Sequence, residues 1–203
     1  HEGSLILTGT QVYTIANVYF VQRGRVEVRD EAQLVIRDSA IEWQHGYHEE
    51  FNLHLYDSGR LVMERTTITS PYAVVIEFLQ DSQGEIIDCT MPEVYLPLGD
   101  SATVNLSRSS LRGLAPDPVE YGFHRAEPGV GPTLTVGSSH VGQMVIGIGG
   151  EDTGTVQGAS PGHLADWSLN SFLDSSTSVQ VTDTHVGNVT FVLGGSVGLT
   201  LSQ

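Results

Sequence analysis

The chain has 203 residues, with 24 acidic side chains against 9 basic ones, every one of them Arg, and a formal net charge of −15. That balance argues against a nucleic-acid or anionic-membrane partner, since both need clustered cations. Cys89 is the only cysteine, which removes a disulfide framework and a cysteine-based zinc site, and no apolar run reaches the roughly 18 residues of a membrane span.

One pattern recurs along the chain: apolar, any, apolar, two polar positions, Ser/Thr, any, apolar. It reads as Leu5-Leu7-Thr10-Val12, Leu34-Ile36-Ser39-Ile41 and Leu61-Met63-Thr66-Ile68. It continues as Ile86-Cys89-Met91, Val104-Leu106-Ser109-Leu111, Leu134-Val136-Ser139-Val141 and Val179-Val181-Thr184-Val186, and Leu199 with Leu201 closes the series. Steps between the second apolar residues are 29, 27, 23, 20, 30 and 45. Each unit carries a second apolar segment, such as Val18–Val21, Leu53–Tyr56, Val74–Leu79 and Val94–Leu98, and Gly, Asp or Ser clusters follow most of them. Alternation at period two, punctuated by turn residues, predicts short strands.

The longest step contains 149–176, which reads as a coil plus an irregular Gly-rich insertion; Leu164, Trp167 and Phe172 there suggest one short helical turn. Repeated short strands with unequal loops predict a single all-β domain over 1–203, a solenoid of about seven to eight coils. Each unit alone cannot bury its apolar face, whereas stacked coils share a continuous core. Cys89 stands at a Ser/Thr position of the repeat and reads as a packed small residue.

The segments Val26 to Ile41 and Gly59 to Ile68 resemble right-handed parallel β-helix proteins of the pectate-lyase-like superfamily. The likeness is one of architecture and covers most of the chain. It implies either enzymes acting on acidic polysaccharides or passive structural solenoids. The chain has no Lys, and no Arg is flanked by a recognisable acidic calcium-binding cluster, so the lyase chemistry is not carried over.

Solenoid alignment exposes rows of side chains. His54 lies nine residues before Met63, and Glu77 nine before Ile86; each sits between core-facing apolar neighbours. They are therefore expected to point outward from adjacent coils, roughly 4.8 Å apart along the stack. Tyr19 is placed on the same face of the first coil. Just before His54, the loop Trp43 to Glu50 gathers His45, Tyr47, His48 and two carboxylates. Imidazoles with carboxylates suit copper, zinc or nickel. The cluster also reads as an ordinary solvated loop, and His54 with Glu77 as a surface hydrogen-bonded pair.

His1 implies a processed terminus and export to a secreted or periplasmic setting. An N-terminal His offers its α-amine and ring nitrogen together, and one further His completes a three-nitrogen set that suits Cu(II). In this respect His1 resembles histidine-brace copper proteins. The resemblance implies copper held by His1 with His48 or His54, with His45, Tyr19, Tyr47 or Glu77 as additional or supporting groups. The expected function is an exported copper-binding β-helix, a copper carrier or redox centre; the alternatives are a polysaccharide-binding or polysaccharide-degrading β-helix using outward Tyr19, Tyr95 and Tyr121, and a purely structural solenoid segment. Partners are a polysaccharide or a copper-handling protein, with no nucleic acid.

Overall fold

A computed structural model describes residues 1–47, 50–116, 133–148, 153–157, 167–170, 178–182, 184–193 and 198–202. Its first coil comprises β1 (Leu5–Leu7), β2 (Val12–Ala16) and β3 (Tyr19–Gln22). The second comprises β4 (Val26–Val28), β5 (Gln33–Arg37) and β6 (Ala40–Trp43). The third comprises β7 (Leu53–Leu55), β8 (Arg60–Glu64) and β9 (Thr67–Thr69). From β10 (Val74–Phe78) and β11 (Gln83–Ile87) the chain enters β12 (Thr90–Leu98), in which two arms of the coil fuse into one nine-residue strand.

Later coils alternate a five-residue strand with a longer one: β13 (Thr103–Ser107) and β14 (Ser110–Pro116), then β15 (Thr133–Gly137) and β16 (His140–Ile148). Within 149–176 the described residues form β17 (Thr153–Gln157) and β18 (Trp167–Asn170), so Trp167 lies in a strand rather than in the expected helical turn. Leu164 and Phe172 lie outside the described residues. The chain ends with β19 (Ser178–Thr182), β20 (His185–Leu193) and β21 (Gly198–Ser202).

All strand pairing is parallel, which makes the fold a parallel β-solenoid as the repeat predicts. One sheet runs β2-β5-β8-β11-β13-β15-β19-β17-β21. The other runs β1-β4-β7-β10-β12-β14-β16-β20-β18, with β3-β6-β9 joining it at β12. Up to β14 the stack makes about five coils, against the seven to eight expected, and Thr153–Gln157 lies in the same sheet beyond β19. Among the described residues no helix is long and apolar enough to cross a membrane.

The stacked apolar markers are the observed register: Ile36, Met63, Ile86, Leu106, Val136 and Val181 follow one another coil by coil. The first coil is phased differently from the expectation. Leu5–Leu7 pairs with Val26–Val28, and it is Ile15, not Leu7, that lies beside Ile36. Step length varies because corners differ. Nine residues separate β6 from β7 and four separate β9 from β10, whereas β12 needs no such spacer. Inward side chains such as Trp43, Leu55, Met63, Ile76, Phe78 and Met91 are fully buried. Gly84 stands in register between Leu61 and Val104 because the Phe78 ring fills its space; a Cβ there would come within 2.7 Å of that ring.

Both corners of the coil turn through left-handed backbone that non-glycine residues rarely adopt. At one corner stand Asn17, Asp38, Arg65, Asp88, Arg108 and Ser138, and at the other Gly9, Asp30, Asp57, Gln80 and Asp100. After the first corner comes the buried repeat position Ser39, Thr66, Cys89, Ser109, Ser139, Thr184. Its hydroxyls donate to the carbonyl two residues back, as Ser39 does to Arg37 (2.7 Å) and Ser109 to Ser107 (2.8 Å). They also accept a backbone N–H from the preceding coil: Val18 to Ser39 (3.3 Å), Cys89 to Ser109 (2.9 Å) and Ser109 to Ser139 (3.1 Å).

The second corner has its own ladder. Backbone N–H groups of Gly9, Asp30, Asp57 and Gln80 donate to the side chains of Asp30, Asp57, Gln80 and Asp100, at 2.7, 3.2, 2.5 and 2.9 Å. Outside the first corner, Arg65 makes a two-point contact with Asp38 (2.6 and 2.9 Å), and Arg108 with Asp88 (2.7 and 2.8 Å). The hydrogen bond from each guanidinium holds its Asp carboxyl below the usual range. Lowered values mean that this contribution is present above the unfolded carboxyl pKa and fades as pH falls through the folded one.

Removing the Ser109 hydroxyl strands the buried Cys89 N–H, so Ser109→Ala is expected to cost about 1–3 kcal/mol in denaturant unfolding. Gly84→Ala overpacks against Phe78 and is expected to cost about 1–3 kcal/mol in the same assay. Burial pushes the Cys89 thiol up to about 11, which makes it a poor nucleophile in the folded chain. A thiol reagent at mildly alkaline pH is expected to modify Cys89 far more slowly in the folded protein than after denaturation. Because the folded value is raised, this group's stabilisation is present below the unfolded thiol pKa and is lost as pH rises towards about 11.

Candidate functional site

The parallel strands β4, β7 and β10 present the same alternation in three successive coils. Val26 and Val28, Leu53 and Leu55, and Ile76 and Phe78 face the core with at most 3% exposure. Glu27, His54 and Glu77 therefore take the outward position between them, and they are paired directly, Glu27 with His54 and His54 with Glu77. The expected adjacency of His54 and Glu77 is observed. Tyr19 does not share the row: it pairs with Ala40 on β6, and Glu27 occupies the place expected for it. Val26-Glu27-Val28 carries the same apolar–polar–apolar signal as Leu53-His54-Leu55, but the shifted phase of the first coil hid it.

Outward does not mean solvated here. Glu27 and Glu77 are 3% and 1% exposed. The His54 ring nitrogen Nδ1 lies 2.7 Å from Glu77 Oε2, while Glu77 Oε1 is buried without a hydrogen-bond partner. The ring nitrogen Nδ1 of His54 is thus tied to Glu77, which leaves Nε2 as the ring's other nitrogen. Glu27 is neutralised from two sides, by Arg25 at 3.1 Å and by Arg29 at 2.5 Å. The Arg29 contact is an ion pair out of hydrogen-bond alignment, which leaves Glu27 Oε2 without a hydrogen bond.

Aromatic and guanidinium groups cover the row. Tyr56 stacks on His54 with ring centroids 5.9 Å apart, and the Arg29 guanidinium lies 5.3 Å from the Tyr56 ring centre. Burial pushes the Tyr56 hydroxyl up, and the charges of Glu77 and Glu27 add to the rise. On the same outward face, one coil beyond β10, the Arg112 guanidinium lies 5.4 Å from the Tyr95 ring centre while pairing with Glu93 at 2.5 Å. Tyr95 is in register with Val75, two residues from Glu77 along the strand.

The other expected site residues lie elsewhere. The His1 amine donates to the Val21 carbonyl at 2.5 Å, and its ring stacks on Phe20 with centroids 6.5 Å apart. His45 is buried rather than solvated: Nε2 is 2.6 Å from Ser70 Oγ, and the ring packs on Phe51 (6.4 Å) and edge-on against Tyr72 (6.2 Å). It joins Phe51, just before β7, to Ser70 and Tyr72 between β9 and β10. Tyr47 is exposed. His48, Glu49 and Tyr121 lie outside the described residues. Among the described residues no group of three or more His, Cys, Asp or Glu side chains is arranged to hold a metal ion. The structure thus joins His54 to Glu77 and Glu27, and leaves His1, His45 and Tyr19 apart from them.

No family model, curated protein or solved structure matches this chain.

Chemically, the row holds an imidazole hydrogen-bonded through Nδ1 to one buried carboxylate, with a second carboxylate alongside and a tyrosine ring stacked on it. Glu77→Ala removes the acceptor for Nδ1–H. Nitrogen NMR of the imidazole is expected to show one fixed His54 tautomer in the parent chain and a mixture in the variant. An unchanged spectrum would mean that Glu77 does not set it.

Proposed function

We propose that the chain is an exported polysaccharide-binding β-solenoid whose ligand runs along the outward face of β4, β7, β10 and β12. The observation that carries this reading is the paired aromatic–guanidinium arrangement, Arg29 on Tyr56 and Arg112 on Tyr95, flanking the Glu27–His54–Glu77 row on one sheet face. Half-buried tyrosines held in place by guanidinium groups offer rigid apolar surface at little entropic cost. Arginine forks offer planar donors to hydroxyls or carboxylates. His54 adds its second ring nitrogen, Nε2, with Nδ1 already tied to Glu77. Parallel coils repeat such groups at a constant spacing, which suits a repeating polymer more than a small molecule. An acidic, lysine-free surface fits a secreted or periplasmic setting.

Screening against neutral and acidic glycans, followed by calorimetry on any that bind, tests the proposal. Tyr56→Ala and Tyr95→Ala are each expected to weaken binding by about tenfold, the loss of one packed ring. Silence across the glycans overturns the reading.

One observation favours a second reading, copper binding. A histidine that gives Nδ1–H to a carboxylate has the outer-shell arrangement usual for metal-ligating imidazoles, with Nε2 turned to the ion. In this reading His54 is the nitrogen ligand and Glu77 its supporting acceptor. Cu(II) titration followed by electron paramagnetic resonance distinguishes the cases. Copper binding requires nitrogen hyperfine structure that His54→Ala removes, and glycan binding alone predicts none.

A further inference from the structure

The residue that follows the buried hydroxyl or thiol of each repeat stacks in one unbroken row. Ala40, Thr67, Thr90, Ser110, His140 and His185 are paired coil by coil. Four coils carry a small residue at this place, and the next two carry histidine. Among the described residues it is the one position where two histidines stand directly in register. His54, by contrast, has a glutamate on each side.

Local chemistry fixes this pair. The tripeptide His-Val-Gly occurs at 140–142 and again at 185–187. Val141 is fully buried, so period-two alternation sets His140 on the opposite side, where it is exposed. Gly142 is required by the backbone, since a Cβ there would come 2.7 Å from the Arg112 carbonyl oxygen. In consequence the position two along from His140 on the same face carries no side chain. Just before the pair, the Ser139 N–H donates to the Thr184 hydroxyl at 3.3 Å, and the His140 N–H donates to the Ser109 carbonyl at 2.8 Å. The corner ladder thus holds the two coils in register at the histidines themselves.

Parallel strands lie about 4.8 Å apart. Two nitrogens bound to one zinc ion at about 2.0–2.1 Å in tetrahedral geometry stand about 3.3 Å from each other. Imidazoles rooted on directly paired positions therefore need only a small convergence to share an ion. The surroundings favour a cation as well. The chain has a net charge of −15 and no Lys, and the neighbouring Arg112 guanidinium is engaged by Glu93 and Tyr95. A negative surface raises the local concentration of cations.

We propose that His140 and His185 form a two-imidazole binding site for Zn(II), with water in the remaining coordination positions. Imidazole is a ligand that suits this ion, and an ion held there ties two successive coils together. The site lies on β16 and β20, apart from the face of β4, β7, β10 and β12, so it stands or falls independently of the glycan and copper readings.

Calorimetric titration of the full chain with Zn(II) alone, in a non-coordinating buffer, tests the proposal. The parent chain is expected to hold an ion that His140→Thr and His185→Thr each bind roughly a hundredfold more weakly, the loss of the chelate, whereas His54→Ala leaves it unchanged. Thr occupies this place in two other coils, so circular dichroism and melting of both variants without zinc are expected to match the parent. As a second readout, zinc is expected to shift the ring NMR signals of His140 and His185 together. A parent chain without a zinc site, a site that survives in either folded variant, one that His54→Ala removes instead, or ring signals that shift for only one of the two histidines overturns the proposal.

Discussion

Everything in this solenoid depends on how each coil is tied to the next at its two left-handed corners. A left-handed conformation costs a non-glycine residue roughly 1–2 kcal/mol, and the corners use one in nearly every coil. The strain persists because each corner places a polar side chain within reach of a backbone N–H of the neighbouring coil. Ser39, Ser109 and Ser139 do this at one corner, and Asp30, Asp57, Gln80 and Asp100 at the other. Each coil therefore completes the hydrogen bonding of the one before it. Part of the acidic surplus has a structural place in this scheme, since short carboxylate side chains tolerate left-handed backbone and accept at short range.

The same dependence explains what was legible in the sequence. From Leu34 onward, the apolar pair followed by Ser or Thr marks the true register, because the hydroxyl is where one coil meets the last. Cys89 fits that position since a thiol is small enough to be buried and still reaches the Ile87 carbonyl at 3.2 Å. The first coil was misphased for the converse reason. Val18 stands where the hydroxyl would be, and Thr10 supplies a false match. Leu7 was thereby set beside Ile36 in place of Ile15, and the outward place of Glu27 was lost with it.

His54 and Glu77 could be paired from sequence because both lie in strands with strict alternation, next to securely phased markers. His45 could not be placed in the same way. Its environment joins the loop at 44–52 to Ser70 and Tyr72 of the following coil, and loops of unequal length carry no period from which such a meeting can be read. The count of His and Glu in that loop suggested a ligand cluster, whereas the ring is held by Phe51, Tyr72 and the Ser70 hydroxyl. His1 and His54 share a residue type but sit on different strand runs, which composition does not reveal.

Core and candidate site answer to one constraint. Because side chains alternate at period two, a slip of one residue in β7 would carry Leu53 and Leu55 outward and His54 inward, exchanging apolar for polar across the whole row. The corners are what prevent such a slip, since a ladder contact two or three residues beyond the strand is met only in one register. Asp57 accepts from Asp30 just after β7, and Gln80 accepts from Asp57 just after β10. These two contacts lie two residues past the ends of the strands carrying His54 and Glu77. The 2.7 Å contact between His54 and Glu77 is thus set by corner chemistry some residues away, and a change at Asp57 or Gln80 acts on the row through register before it acts through charge.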